Sequence, residues 1–576
     1  MDRIRLPVVL SACWIRYSGT GLARWREIVR TGVFLSRGRW TSAVVCGTFS
    51  KNELEFRGGF HMQDLIDDLM RHRAASLEHG GPEKVARQRK AGKNTARERV
   101  AMLLDEGSFE EIGQLATHAH TPVTPVKNKS TPADGVVTGF GLVDGRTVGV
   151  VSEDFTVLGG SLGLINFEKK VRMIELSERD RVPLVWLFDG AGARTDEYVG
   201  EGMAPMHHFM EVARLTGRCP QIAAVMGPSA GDSSLLAAMM EFIVMVRGTS
   251  MLAAGGPPLV ASGTGEAVSK EDLGGADLHC TISGVGDNAV DTEEEAIAML
   301  RRYLSFMPTN AWCWPPRQTP TDTPDRADPE LRSIIPENRR RPYDMQQVID
   351  RVFDQGSFLA VKPDYAKMMI TGFARLNGHP VGVCANQPKV MSGAITAAAG
   401  QKLRHFMDLC SAYHLPLVFL TDTPGVMTGP KSEKEAALRV GMQVAHSFAF
   451  ADVPIITVVT HKGFGYGAAA MGGYGAGQSA VLAWPTADFN AIPLESGITA
   501  AYRAELEASD DPKALHASLV AEYSDLCGAI PAAGQMKVDD VIDPLETRPR
   551  LIRVLERALN RRTESPSPTL RHGVLP

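Results

Sequence analysis

No run of 18 uncharged apolar residues occurs in this 576-residue chain, so the sequence offers no membrane-spanning helix. Cysteine is scarce and scattered, at positions 13, 46, 219, 280, 313, 384, 410 and 527, and never as C-x-x-C. A disulfide framework and a cysteine zinc ribbon are therefore not expected, and a reduced compartment fits best. There is no excess of positive charge. The 61 Lys and Arg against 66 Asp and Glu leave a formal charge of -5, which argues against nucleic acid as a partner. No metal-ligand cluster stands out, and no Ser/His/Asp order is compelling. What is plentiful is apolar sequence, at 44%, and glycine, with 56 residues. That is enough for more than one large core.

Residues 1–61 differ from the rest, with ten Lys and Arg, four Asp and Glu, and no clear period. Two readings stand. One is a leader of the transit-peptide kind, which would send the chain to a mitochondrial matrix. The other is an extension, disordered or outside the fold, with Met62 opening the functional chain and a cytoplasmic location. At the far end, RRTESPSPTLRHGVLP (561–576) reads as a loose tail.

Between these ends the chain contains itself twice. GFGLVDGRTVGVV (139–151) matches GFARLNGHPVGVC (372–384), and an offset of 233 brings Gly145 onto Gly378, Gly160 onto Gly393, Lys169 onto Lys402, Asp189 onto Asp422 and Gly192 onto Gly425. With an offset of 234, Pro220 falls on Pro454. Each copy has two strands joined at a tight turn, a helix, a buried-strand run (VPLVWLFD or LPLVFLTD), a second helix, another strand, then a glycine-rich turn and a helix. Strands alternating with helices predict parallel α/β units. The Pro-rich segment around 311–335 reads as the linker, giving domains at 62–318 and 319–560.

Gly227-Pro228-Ser229-Ala230-Gly231 is a literal G-x-S-x-G between an apolar strand and a helix, the pattern of a nucleophile elbow. The second copy discriminates. Its turn, HKGFGYGAAAMGG, has no serine. Glycine is what the two turns share, at Gly231 and Gly465. Glycine lets backbone N–H groups approach a ligand, and the following helix adds partial positive charge. A matched pair of oxyanion-holding turns is expected rather than a hydrolase built on Ser229. His207, His208 and His461 are expected in surface or supporting roles.

TARERVAMLLDEGSFEEIG (95–113), EDFTVLGGSLG (153–163), DGAGAR (189–194), GPSAGDS (227–233), ANQPKVMSGAI (385–395) and DTPGVMTG (422–429) closely resemble the carboxyltransferase (β) subunit of biotin-dependent acyl-CoA carboxylases, the propionyl-CoA and methylcrotonyl-CoA carboxylase group. The resemblance covers about 62–560. It implies two tandem crotonase-like domains related by duplication, and a hexamer built from dimers. Acyl-CoA would lie on the N-terminal half, and biotin, carried by a partner subunit with biotin carboxylase activity, on the C-terminal half. It implies carboxyl transfer to a short or branched acyl-CoA through a stabilised enolate. Carried over by position, Gly231 and Asp232 would hold the thioester oxygen, and Tyr466 and Gly467 the biotin oxygen. Ala193, Arg194, Gly465 and Ala469 would contact substrate, with Ala469 at a chain-length-selecting position. Lys169, Lys170, Arg172 and Arg194 are candidates for the CoA phosphates, although the first three suit a solvated helix face. No metal is implied.

Two departures matter. Asp232 stands where the family has a second glycine, and IPLESG (492–497), with Pro493, replaces another run. They favour one alternative, a non-catalytic paralogue in a mixed complex; a second, a biotin-dependent decarboxylase subunit, stands because the sequence separates the two reaction directions poorly.

Overall fold

The computed structural model describes residues 61–119, 129–194, 197, 206–338, 341–473, 475, 477–569 and 573–576, with the backbone of two earlier strands. The chain forms two units, Met1–Leu69 and Met70–Pro576. In the first, β1 (Arg30–Ser36) and β2 (Arg39–Val45) pair antiparallel, strands that the lack of period in 1–61 did not anticipate. The rest of residues 1–60, and with it the leader and extension readings, lies outside the described residues.

The second unit holds both copies. The first sheet has seven strands: β3 (Glu110–Ile112), β4 (Val136–Val143), β5 (Arg146–Glu153), β6 (Leu184–Phe188), β7 (Gln221–Val225), β9 (Phe242–Val246) and β11 (Asn288–Val290), in the order β11-β9-β7-β6-β5-β4-β3. Two further strands, β8 (Pro228–Ala230) and β10 (Met251–Ala253), form a small parallel pair beside it. The second sheet contains β12 (Leu359–Val361), β13 (Met369–Leu376), β14 (His379–Asn386), β15 (Leu417–Thr423), β16 (Ile455–Phe464), β17 (Ala480–Ala483) and β19 (Asp540–Val541), with β18 (Asp488–Asn490) paired to the outer end of β16. Hairpins open both sheets, and parallel strands with helical crossovers complete them.

The duplication extends to backbone conformation. Both hairpin turns, Asp144-Gly145 and Asn377-Gly378, take positive φ at both central residues. Non-glycine residues with positive φ also recur at the 233 offset: Ala133 and Ala366, Leu158 and Met391, Arg181 and His414. β6 and β15 are buried along their whole lengths, as expected of central parallel strands. The Phe242, Tyr303, Phe373 and Phe406 rings pack in series and join the cores of the two halves.

Lys169 corrects the expectation of a solvated helix face for Lys169, Lys170 and Arg172, and its counterpart Lys402 shares its setting. Each is buried with its ammonium on backbone carbonyls, Lys169 on those of Ala133 and Val136, Lys402 on those of Lys362, Tyr365 and Met369. Burial pushes the Lys169 amine down to about 8. Lys170 is also buried, on Glu153. Of the three, only Arg172 is solvated.

The end of the chain is not loose either. Val574 is buried, Thr569 donates to the Ser411 carbonyl, and Arg562 stacks on Trp314.

Between the halves, Glu241 accepts hydrogen bonds from the Gly217 and Gln221 N–H groups and from the Tyr413 hydroxyl. Burial pushes its carboxyl up to about 7. A carboxyl raised above its unfolded value of about 4.3 favours the protonated state. Its contribution is complete below that value and is lost as pH rises through 7. Melting temperature is therefore expected to fall from pH 5 to pH 8 by the equivalent of about 3 kcal/mol from this group, and Glu241→Gln, which mimics the protonated acid, to flatten that slope.

Candidate functional site

Each half places a glycine-hinged turn against a second loop. In the first half β7 leads to Gly227, where only glycine fits, since a Cβ would lie 1.8 Å from the Asp189 carboxylate. β8 follows, then Gly231 (φ 61°), then the helix Asp232–Ala237. The loop 189–194 packs on this turn, and a Cβ on Gly192 would come within 3.0 Å of the Ala230 carbonyl. In the second half β16 runs into Gly465 (φ 54°) and the helix Gly465–Ala470. Gly467 lies on Gly425, the counterpart of Gly192, with a virtual Cβ only 2.5 Å from the Gly425 Cα.

The candidate donors shift by one position in the first turn. The Gly231 N–H is donated to the Ala253 carbonyl at 3.2 Å, extending the β8–β10 ladder. It is spent, which corrects the expectation that it faces a ligand. The N–H groups of Asp232 and Ser233 begin the helix and make no hydrogen bond among the described residues. At the 234 offset these two are the counterparts of Tyr466 and Gly467, whose N–H groups are likewise unbonded among the described residues. The turns therefore match as Asp232-Ser233 and Tyr466-Gly467. Ser233 is anchored by its hydroxyl on Glu153, which also holds Lys170 and the Asp189 N–H. The Tyr466 hydroxyl donates to the Gly441 carbonyl.

Ser229 is fully buried, and among the described residues its hydroxyl reaches only the Gly227 carbonyl, at 3.5 Å. A nucleophile would need an exposed hydroxyl beside a base. Ser229→Ala is expected to leave turnover within about threefold of wild type in a steady-state assay, as for loss of a marginal hydrogen bond.

Gly465 and Ala469 line a cavity of about 490 Å³ with Phe489, Asn490, Cys527 and Lys537. Ala193 is exposed and bridges to Leu162 through its backbone. Arg194 does not reach ligand space. Its guanidinium is buried on Asp134, Glu197 and Ser161, and those carboxylates outweigh burial to keep it charged. Pro493 stands just before the helix Leu494–Ala501, a place where a missing N–H costs no helix hydrogen bond.

Sequence reasoning missed two features. The first is a cleft of about 520 Å³ beside the first turn, lined by Lys84, Arg87, Lys93, Lys270, Phe155 and Pro228 among others. Lys93 is paired with Asp189, whereas Lys84, Arg87 and Lys270 make no ion pair among the described residues. Lys84 and Arg87 lie on one helix, Pro82–Lys90, at a spacing of three. The second is the partner of His208, for which a surface or supporting role was expected. His208 is not a surface residue but is buried, with Nε2 2.7 Å from the Asp232 carboxylate. His461 is also buried, beside Asp422. Burial alone would raise the Asp422 carboxyl, but His461 and Lys462 outweigh it and hold it below the usual carboxylate range. Among the described residues no cluster of His, Cys, Asp and Glu could hold a metal, and no helix is long and apolar enough to cross a membrane.

Comparison with known proteins gives consistent matches. The carboxyl transferase domain family matches residues 87–575. The chain is 39% identical over 520 residues to the propionyl-CoA carboxylase carboxyltransferase subunit of Haloferax mediterranei, covering 89% of this chain and 99% of that one. It is 38% identical over 516 residues to the methylmalonyl-CoA decarboxylase subunit alpha of Veillonella parvula, covering 89% and 99%. Among solved structures it is similar to the hexameric transcarboxylase 12S bound to methylmalonyl-coenzyme A, with a TM-score of 0.84, 35% identity, and coverage of 91% of this chain and all of that one.

Proposed function

This chain belongs to the carboxyl transferase domain family, and from that premise we propose that it is the carboxyltransferase subunit of a biotin-dependent acyl-CoA carboxylase. The observation that carries the reading is the matched pair of turns, each with a positive-φ glycine and two N–H groups unbonded among the described residues, each closed by a loop glycine. Carboxyl transfer to or from the carbon beside a thioester places negative charge on the thioester oxygen as an enolate, and preorganised N–H donors stabilise that charge. The Asp232 and Ser233 N–H groups would hold that oxygen. Tyr466 and Gly467 would hold the ureido oxygen of biotin, delivered by a partner subunit into the cavity that Ala469 lines. When bound, the biotin supplies or accepts the carboxyl group. The Lys84, Arg87 and Lys270 cleft would take the phosphates of CoA, in place of Arg194, whose guanidinium is engaged by Asp134 and Glu197.

Asp232 and Pro493, which raised the non-catalytic alternative, are both accommodated: one is paired with His208 and the other opens a helix. The decarboxylase direction remains the second reading, because the Veillonella relative is as similar as the carboxylase one. A homo-oligomer is part of the proposal. Leu438, Met442 and Phe450 expose apolar surface on the helix Ala437–Phe450, beside Tyr466, and suit a subunit contact.

The test is an exchange assay without ATP. Purified protein, free biotin and a panel of malonyl-, methylmalonyl- and methylglutaconyl-CoA are incubated, and loss of the carboxyl group is followed. Turnover of one member is expected, and Arg87→Glu is expected to raise KM about tenfold with kcat little changed. Silence across the panel from a folded oligomer would refute the reading.

A further inference from the structure

Asp232 is out of place at a site that develops negative charge. It occupies the first residue of the helix Asp232–Ala237, directly after Gly231, and its carboxylate is nearly buried, 12% exposed. Left unpaired, a carboxylate there has two options. It can oppose the developing anion, or fold back onto the N–H groups that open its own helix, as Asp does at helix starts. Either would disable the turn.

His208 prevents both. It stands on the helix His207–Leu215 with its side chain 2% exposed, and Nε2 bonds Asp232 Oδ1 at 2.7 Å. The ring is held edge-on to Phe167, with centroids 4.9 Å apart, and lies against Phe209. His208 Nδ1 and Asp232 Oδ2 are buried and make no hydrogen bond among the described residues. The aromatic clamp fixes the imidazole, and the short bond fixes the carboxylate.

We propose that His208 is a positioning residue that holds the Asp232 carboxylate away from the Asp232 and Ser233 N–H groups and so keeps the first turn open to a thioester oxygen. This rests on the reading of that turn given above. The pair also explains how a carboxylate is tolerated where the resembled family carries glycine. An acid there requires a fixed partner, and the partner's task disappears if the acid does.

A double-mutant cycle on the full-length protein tests this, read by exchange rate and by melting temperature. His208→Leu is expected to lower kcat/KM by about 50-fold or more and to lower the melting temperature, because it strands a buried carboxylate. Asp232→Gly, which keeps the backbone N–H and removes the carboxylate, is the reference against which the double variant is read. The double variant is expected to return to within about threefold of Asp232→Gly. A double variant as impaired as His208→Leu would overturn the proposal, since His208 would then act through packing alone. A double variant that regains CoA-ester affinity but not turnover would also overturn it, assigning proton transfer to the pair. If His208→Leu does not fold, His208→Gln, which keeps one N–H donor, enters the same cycle with the same criteria. If the wild type turns over no CoA ester, the functional reading fails separately, and recovery of melting temperature by Asp232→Gly still decides the pairing.

Discussion

Gly467→Ala is expected to reduce carboxyl transfer at least about 10²-fold while leaving acyl-CoA binding near wild type. The reason is steric and local. A Cβ at 467 would lie 2.5 Å from the Gly425 Cα, 2.9 Å from its carbonyl carbon and 3.2 Å from its nitrogen. All three are backbone atoms, so no rotamer change relieves the contact, and the two loops of the second turn must part. Gly467 itself does not have positive φ, so alanine fits its backbone conformation and the effect isolates the approach of the loops. Displacing a donor pair by about 1 Å is enough for such a loss. Gly463→Ala is the control. Its nearest neighbour is a Val459 methyl at 3.3 Å, a side-chain atom that can give way, so a change of less than about threefold is expected. The pair of variants is compared in the ATP-free exchange assay, with CoA-ester binding by calorimetry. Equal rates for both would refute the assignment of the second turn.

The parts of this site that were legible in the sequence are those set by spacing along the chain. The 233-residue offset and the glycines at 231 and 465 came from residue identity alone, and the positive φ values at both glycines give the physical reason for them. What was not legible depends on contacts distant in sequence. Nothing in the sequence marks β10, a three-residue strand that takes up the Gly231 N–H, so residue identity alone leaves Gly231 as a donor. Arg194 suits a phosphate ligand by sequence alone, since Asp134, the acid that holds its buried guanidinium, lies 60 residues earlier. Lys169 and Lys170 sit on a helix whose charged residues suggested a wet face. Their ammonium groups instead satisfy carbonyls and a carboxylate inside the domain. The reverse error hid Lys84 and Arg87, which lie outside the quoted motifs and line the cleft beside the first turn only once the chain is folded. A usable signal was present: three cations within four residues, at 87, 89 and 90, follow Lys84.

Arg99→Leu is expected to destabilise the fold by about 3–5 kcal/mol, the cost of breaking a buried ion network from one side. Arg99 is fully buried and reaches two acids. Its guanidinium donates twice to Glu293, at 3.0 and 2.6 Å, and lies 2.9 Å from Asp189. Both carboxylates stay buried when it is removed. Asp189 keeps Lys93 and Gln88, whereas Glu293 keeps only Asn94 among the described residues. The damage should also reach the chemistry. Asp189 begins the loop that carries Gly192 and Ala193, and its carboxylate fills the space that obliges residue 227 to be glycine. A loosened Asp189 therefore disturbs both faces of the first turn at once. The expected result is a melting temperature lower by roughly 5 °C or more, with reduced exchange activity well below that temperature. Arg99→Lys separates charge from geometry. A lysine restores one cation but not the planar fork that spans two acids, so it should recover part of the stability and little of the activity. Full recovery of both by lysine would mean that net charge alone holds the loop, and the fork would then have no part in placing the turn.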